Sequence, residues 1–593
     1  MGNNSKSKIT PYLYLVPCML IFGVFLFYPF VKTIYLSLYK TNKMGQAKLY
    51  VGLDNYKELI QSASFINSLK VTLIFVLIVV VGGMLLGLIA SVLCNKAFPG
   101  IRVFSTSYAL PMAIASSSAA MIFQIMLHPA VGIVNKLLGL DINWLNDPNT
   151  ALICVAVLTA WLNSGINFLY FSAGLGNIDE TIYERASVDG ASSVQQFFSL
   201  TLPGLSPIMF YTLVVNIIQA FQSFGQIKIL TEGGPNESTN VIVYSIYRDA
   251  FFNYRFGSAA AQSVILFIII MIITLIMFRI EKKGVNYWMS QMENVAVPAV
   301  GNLSKEELLK LKEAMNAKAL TKRRARTALC VAANVVFAVL ILLPLLYAIS
   351  IALMPSNELF TTELNLFPKN PTFSNFINAF RTVPLLRFIL NSFIMAGCIT
   401  IGQIITCSLA AFAFSFLEFK GKGILFMVVM ATMMVPGEAT IISNYLTVSS
   451  WGMLDTYQVL IVPYLTSAMG IFLFRQFYMT FPISLYESAK LDGCSNLKFI
   501  VKILLPLTKS AIGAMAVYTF INAWNMYMWP LLVTGSNNMR TVQIGISMLD
   551  SVDSQSITLM IAGVVMIIIP SISIFIIGQK QLIRGMFSGA VKG

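Results

Sequence analysis

Two stretches carry carboxylates at a repeated spacing. The first is Tyr183-Glu184-Arg185-Ala186-Ser187-Val188-Asp189-Gly190-Ala191, continuing to Leu202-Pro203. The second is Tyr486-Glu487-Ser488-Ala489-Lys490-Leu491-Asp492-Gly493-Cys494, continuing to Leu505-Pro506. Their aligned pairs keep one constant offset, which marks an internal duplication. In each copy Glu and Asp stand five apart, and the glycine permits a sharp turn between two helices. A polar shape placed twice suits docking into two copies of a partner; the plainer alternative is a loop with a helix lying on the membrane. Neutral amides form a second set. Asn216, Gln219 and Gln222 recur at i, i+3 and i+6, and Thr519, Asn522 and Asn525 occupy the equivalent positions. Such a stripe could hydrogen-bond a hydroxylated solute weakly enough to release it, or bond helix to helix at ~1 kcal/mol per contact. Glu438 follows Pro436-Gly437, which interrupts an apolar run and leaves a half-helix end that could line a cavity. Pro111 stands in a comparable place in the first half.

Bond-breaking chemistry has little to work with. The single histidine, His128, ends a span before a proline, and a metal site needs several ligands. Seven cysteines are scattered with no CxxC or Cys/His spacing, which predicts neither a disulfide framework nor a metal centre. No G-x-x-x-x-G-K-[ST] occurs, so the chain has no P-loop for ATP. A membrane enzyme would need a Ser/His, Cys/His or metal constellation. An ion-coupled transporter would place ionisable residues at the midplane, whereas these spans are nearly free of them.

The elements that must position these residues follow from composition. Of 593 residues 57% are hydrophobic and 11% charged, and long charge-free runs of about 20 residues predict membrane spans. The runs fall near 11–39, 69–94, 103–127, 151–175, 205–227 and 258–280, then 327–353, 384–417, 424–447, 457–479, 507–532 and 555–578. The expected fold is all-α and integral to the membrane, with about twelve transmembrane helices. Each polar stretch lies between the fourth and fifth helix of its half. The first run lacks a small-residue cleavage pattern and reads as a retained span.

Net charge is +15. The basic residues collect beside the spans without aromatic interleaving, which argues for membrane topology and against nucleic acid. Lys6, Lys8, Lys96, Arg102, Lys282, Lys283, Lys420, Lys422, Lys580, Arg584 and Lys592 come out on one side with both polar stretches. The positive-inside rule makes that side, and both termini, cytoplasmic. Six helices per half leave the repeats parallel. The expected division is 1–283, a linker at 284–326, and 327–593. In the linker, Ser304-Lys305-Glu306-Glu307 is a capping box opening a short helix with Leu308, Leu311 and Met315 on one face. That helix reads as a membrane-surface tether, followed by a basic cluster from Lys322 to Arg326.

The spacing Glu-x-Ala-x-x-Asp-Gly…Leu-Pro resembles the "EAA" coupling loop of ABC importer permeases. Thr231-Glu232-Gly233-Gly234-Pro235 with Thr239 resembles an external loop of the first permease subunit of the carbohydrate-uptake branch. Trp524-Asn525…Trp529-Pro530-Leu531 and the ending Gly589-Ala590-Val591-Lys592-Gly593 resemble the second. The chain thus looks like two permease subunits fused end to end. Two further stretches, Ala259–Leu266 running to Phe278–Glu281 and Phe472–Thr480 joined to Trp524–Pro530, look most like glycerol-3-phosphate permeases, with oligosaccharide permeases sharing parts of both. Arg185, Ser488 and Cys494 depart from the alanines of the pattern. The resemblance implies a multi-pass permease of the bacterial inner membrane without enzymatic activity or a cofactor of its own. Two copies of an ATPase subunit would bind ATP and Mg, and an extracytoplasmic binding protein would deliver solute. It makes Glu184, Ala186, Asp189, Gly190, Glu487, Ala489, Asp492 and Gly493 the coupling residues. Asn216, Gln219, Gln222, Glu438, Asn522 and Asn525 are the candidate solute path.

Overall fold

The computed structural model describes residues 4–95, 98, 100–284, 305–359, 366–552 and 557–587. Ser304, Lys96 and the ending at 589–593 lie outside the described residues. The first half contributes α1 (Ile9–Ser37), α2 (Ala63–Leu93), α3 (Ile101–Ala113 with Ser116–Met126), α4 (Ala151–Gly176), α5 (Ser193–Gly204 with Ser206–Phe221) and α6 (Phe256–Ile280). The second contributes α7 (Thr327–Ala352), α8 (Leu385–Phe416), α10 (Tyr457–Tyr464 with Ala468–Tyr478), α11 (Asn496–Leu507 with Lys509–Trp524) and α12 (Ile557–Leu582). Between α8 and α10, α9 is divided at Pro436 into Lys422–Ala431 and Gly437–Ser450. The chain is an all-α membrane protein of two repeats, and every expected apolar run holds one of these elements.

Proline and chain geometry account for the bends. α3 turns by 102° at Ile114–Ala115, just after Pro111 in a 3-10 turn, and α9 breaks at the matching place. In α5 and α11 the segments Phe197–Thr201 and Ile500–Leu504 are π-helical, directly ahead of Leu202-Pro203 and Leu505-Pro506. A proline has no N–H to give and crowds the carbonyl four residues back, so the preceding turn widens. The two helices then bend by 65° and 84°.

Two boundaries differ from expectation. The runs at 205–227 and 507–532 each join two elements: the span ends at Phe221 or Trp524, and a separate short helix follows, Gly225–Leu230 or Met528–Val533. Apolar composition continues across a turn that the backbone makes. The linker also differs. One helix, Lys305–Ala352, runs into α7 without a break, so the expected separate surface helix is continuous with the span.

The first helix of each half packs on the other half. From α1, Tyr12 donates to the Lys420 carbonyl (2.8 Å), Thr33 and Ser443 share a hydrogen bond (2.7 Å), and Tyr14 lies edge-on to Phe412. Against α7, the Trp161 indole donates to the Ile341 carbonyl (2.9 Å), and Tyr108 donates to Asn334 (3.0 Å). The Tyr347 hydroxyl reaches the Val131 carbonyl (3.0 Å). In hydrocarbon such bonds give roughly 0.6–2 kcal/mol each, and here they fasten the halves to one another.

β1 (Tyr39–Thr41) and β2 (Ala47–Tyr50) form an antiparallel hairpin after α1. Successive crossings place it at the membrane face opposite both carboxylate stretches.

Candidate coupling helices and solute path

Each carboxylate stretch folds as a short helix, Glu180–Val188 or Ile483–Leu491. The first starts on Asp179, whose carboxylate accepts the Thr181 amide (2.9 Å) and is held below the usual carboxylate range by that bond. The second starts on Pro482 and has no side-chain cap. Both end alike. Gly190 and Gly493 have φ of +81° and +74°, a conformation costly for a residue with a Cβ. The next amide folds back, Ala191 to the Ala186 carbonyl (2.9 Å) and Cys494 to the Ala489 carbonyl (2.8 Å). Alanine and glycine at this spacing are therefore the two ends of a Schellman closure. Ser192 and Ser495 then cap the helix leading into α5 or α11.

The turns project polar and apolar groups together. Glu184, Asp189, Glu487 and Asp492 are exposed. Beside them Val188 is 87% and Leu491 90% exposed, and Val194 and Leu497 are exposed as well. These two pairs share the offset of the carboxylates, so each turn presents the same apolar points beside the same charges. The sequence reading passed over them; a test for paired apolar residues at that offset would have found them.

The anchoring of the two helices differs. Tyr486 donates to Asn496 (2.9 Å) and packs on Phe412, Phe416 and Phe499 at 5.8, 5.6 and 5.1 Å. Tyr183 shares a hydrogen bond with Thr201 (3.0 Å), and its helix buries no residue.

The amide stripe divides by depth. Asn216 is buried and exchanges hydrogen bonds with Asn167 of α4 (2.7 and 3.1 Å), and Thr519 donates to Gln403 of α8 (3.0 Å). These two bind helix to helix. One turn later Gln219 and Asn522 are both exposed, with the Asn522 amide on the Tyr518 carbonyl (2.8 Å). Gln222 is half-buried. Asn525 donates across the halves to the Ala113 carbonyl at the α3 bend (3.3 Å).

Tyr211, two turns before Gln219, packs on Tyr170 at 5.3 Å. The exposed amides thus have tyrosines close by along their own helices, Tyr211 in α5 and Tyr518 in α11, which were not anticipated.

Glu438 sits in the first turn of Gly437–Ser450 with Oε2 buried and without a hydrogen-bond partner among the described residues. His128 accepts the Ala130 and Val131 amides through Nδ1 (3.2 and 3.4 Å), a turn-forming role. No cluster of three metal-ligating side chains occurs among the described residues.

The loop before α6 is held by charge. Arg248 reaches Glu237 (2.8 Å), and Ser64 of α2 donates to the same carboxylate (2.9 Å). Burial raises the Glu237 pKa, but the bonds from Arg248 and Ser64 outweigh it and the net shift is downward. A depressed carboxylate stabilises the fold above its unfolded pKa of about 4.3 and stops doing so as pH falls through its folded value. Glu237→Gln is therefore expected to flatten the fall in thermal midpoint on acidification, measured by thermal unfolding of the purified chain between neutral pH and the carboxylate range. An unchanged acid slope would assign that slope to other groups.

The profile of the family described as "Binding-protein-dependent transport system inner membrane component" matches residues 83–285 and again 323–586. The sn-glycerol-3-phosphate transport system permease protein UgpA of Agrobacterium fabrum is 36% identical over 285 residues, 47% of this chain and 97% of the relative. The protein of that name from Pectobacterium atrosepticum is 34% identical over 286 residues, 48% of this chain and 97% of the relative. Among solved structures, a bacterial ABC transporter involved in the import of the acidic polysaccharide alginate aligns with TM-score 0.42 and 23% identity. That alignment covers 46% of this chain and 96% of the alginate transporter chain. With the family profile matched twice, the chain belongs to the binding-protein-dependent inner membrane transport components and is an ABC importer permease, not itself an enzyme.

Proposed function

We propose that this permease imports sn-glycerol-3-phosphate, with residues 1–283 and 327–593 filling the two permease positions and 284–326 joining them on the cytoplasmic side. The observation that carries the substrate is the identity to relatives bearing that name across almost their whole length. Two copies of an ATPase subunit dock on Glu180–Val188 and Ile483–Leu491. Support for two sites comes from their identical Schellman closures and from the paired exposed points Val188/Leu491 and Val194/Leu497. ATP and Mg belong to that partner. A binding protein delivers solute at the opposite face, where the hairpin and the Glu237–Arg248 loop lie.

In this reading, closure of the ATPases draws the two short helices together. Each is tied to its span through a π-turn and a bend rather than a straight rod, so a displacement at the helix becomes a rotation of α5 or α11. Those helices carry Gln219 and Asn522, and rotating them opens and closes the path between the halves. A second reading, a neutral sugar or oligosaccharide, draws on the exposed amides and the neighbouring tyrosines, which offer hydrogen bonds and ring faces without a cation.

Uptake of labelled glycerol-3-phosphate against labelled oligosaccharide, in cells with and without this gene, separates the two. Loss of glycerol-3-phosphate uptake alone is expected. Loss of sugar uptake alone would discard the substrate and keep the importer.

A further inference from the structure

A cavity of about 960 Å³ opens between the halves at the face opposite the coupling helices. The outer end of α1, the hairpin and the segment before α6 form one wall, and the second part of α9 forms the other. Its lining includes Lys32 and Lys43 but no aspartate or glutamate. Lys32 lies in the membrane-spanning α1, where a charge is tolerated only beside a partner or an aqueous cavity. Its ammonium gives one hydrogen bond to Thr447 Oγ1 (3.0 Å) and stands 5.8 Å from the Tyr28 ring. Thr447 in turn donates to the Ser443 carbonyl (2.6 Å), so it faces Lys32 as a neutral acceptor. An ammonium has three donors, which leaves two for a ligand. No carboxylate pairs with either lysine among the described residues.

The hairpin holds Lys43 in place. Asn42 Oδ1 accepts the Met44 and Gln46 amides (3.1 and 2.9 Å). Gly45, at φ +73°, packs so tightly on Leu446 of α9 that a Cβ there would overlap the leucine side chain. The hairpin backbone beside Lys43 is therefore seated against the second half, with Lys43 itself exposed. Around the two charges stand the rings of Tyr35, Tyr254 and Tyr445 and the hydroxyl of Ser449.

We propose that this cavity binds a phosphate ester, its dianion balanced by Lys32 and Lys43 and its organic part against the tyrosine rings. Two ammonium groups in a lining without aspartate or glutamate favour a doubly charged anion, and lysine serves phosphate as a point charge. A soluble phosphate monoester and the monoester headgroup of phosphatidic acid offer the same chemistry. The site rests on the cavity alone and stands whether or not glycerol-3-phosphate is the transported solute.

The test uses the full chain in phosphatidylcholine nanodiscs, titrated with sn-glycerol-3-phosphate, inorganic phosphate or glycerol and followed by calorimetry. Saturable binding of the ester, competition by inorganic phosphate and silence with glycerol are expected. Lys32→Met with Lys43→Met is expected to weaken binding at least ~10-fold, as loss of charge-assisted hydrogen bonds does, and Lys32→Arg with Lys43→Arg to restore it. Lys43→Met alone, in the exposed hairpin, gives the same direction should the pair fail to fold. Should the soluble ester not bind, native mass spectrometry from nanodiscs containing phosphatidic acid would show that lipid retained by the chain and lost by the double methionine variant, assigning the site to headgroups. Neither ligand bound, or binding indifferent to both lysines, overturns the proposal. Transport is not the readout, so this site and the substrate assignment fail separately.

Discussion

Aspartate at both Gly190 and Gly493 is expected to abolish association with the ATPase and ATP-driven uptake, while the chain still inserts and folds. The geometry limits what the substitution does to the permease itself. Apart from the adjacent residues, no atom among the described residues lies within 4 Å of where a Cβ would stand at either glycine, so neither site is sterically closed. The cost is backbone strain at φ +81° and +74°, about 1–2 kcal/mol per site, and aspartate is among the residues that visit this region. Alanine carries comparable strain without the charge. The pair Gly190→Ala and Gly493→Ala is therefore the control, expected to retain ATPase binding at reduced strength. Aspartate adds a second carboxylate beside Asp189 and Asp492, between the exposed apolar points on either side of the turn. A desolvated contact with a partner tolerates that poorly. Co-purification of the ATPase with tagged permease, together with uptake in vesicles, decides the matter. Full transport with both aspartates in place would sink the assignment of these turns to coupling.

Much of this arrangement was legible because it is local. The repeated Glu-x-Ala-x-x-Asp-Gly spacing encodes a helix, its closure and the next cap, all within a dozen residues, and the structure has each of them. Pro111 and Pro436 likewise mark the breaks in α3 and α9 through their own covalent geometry. What stayed hidden depends on which helix meets which. Spans apolar on every side carry no stripe that names a neighbour, so the packing of α1 on the second half and of α7 on the first left no mark in either run. The same reason hid the division of the amide stripe. Asn216 and Gln219 are one turn apart and chemically alike, yet one faces Asn167 and the other does not. Lys32 was equally unreadable as a cavity residue, since its setting is made by the hairpin and by α9, more than 400 positions further on.

That division gives the second large effect. Gln219→Leu with Asn522→Leu is expected to reduce uptake at least ~10-fold with little loss of folded permease, because both side chains are exposed and neither holds a neighbouring helix through its amide. The Asn522 amide donates to the Tyr518 carbonyl of its own helix one turn back, and losing that bond costs about 1 kcal/mol or less. Asn216→Leu should behave in the opposite way. It removes two hydrogen bonds to Asn167 and leaves that buried amide with its Oδ1 and Nδ2 unanswered, at roughly 1–3 kcal/mol. Asn167 and Asn216 replaced together by leucine should recover part of the loss, since no polar group is then stranded. Thermal unfolding and the yield of folded permease read the Asn216 arm; initial uptake rate per folded molecule reads the Gln219/Asn522 arm. The crossed pattern, transport lost in one and stability in the other, separates a path from helix packing within a single stripe. Equal uptake per folded molecule in the Gln219/Asn522 variant would assign the whole stripe to packing, and the path would then have to run past Tyr211 and Tyr518 by ring contacts alone.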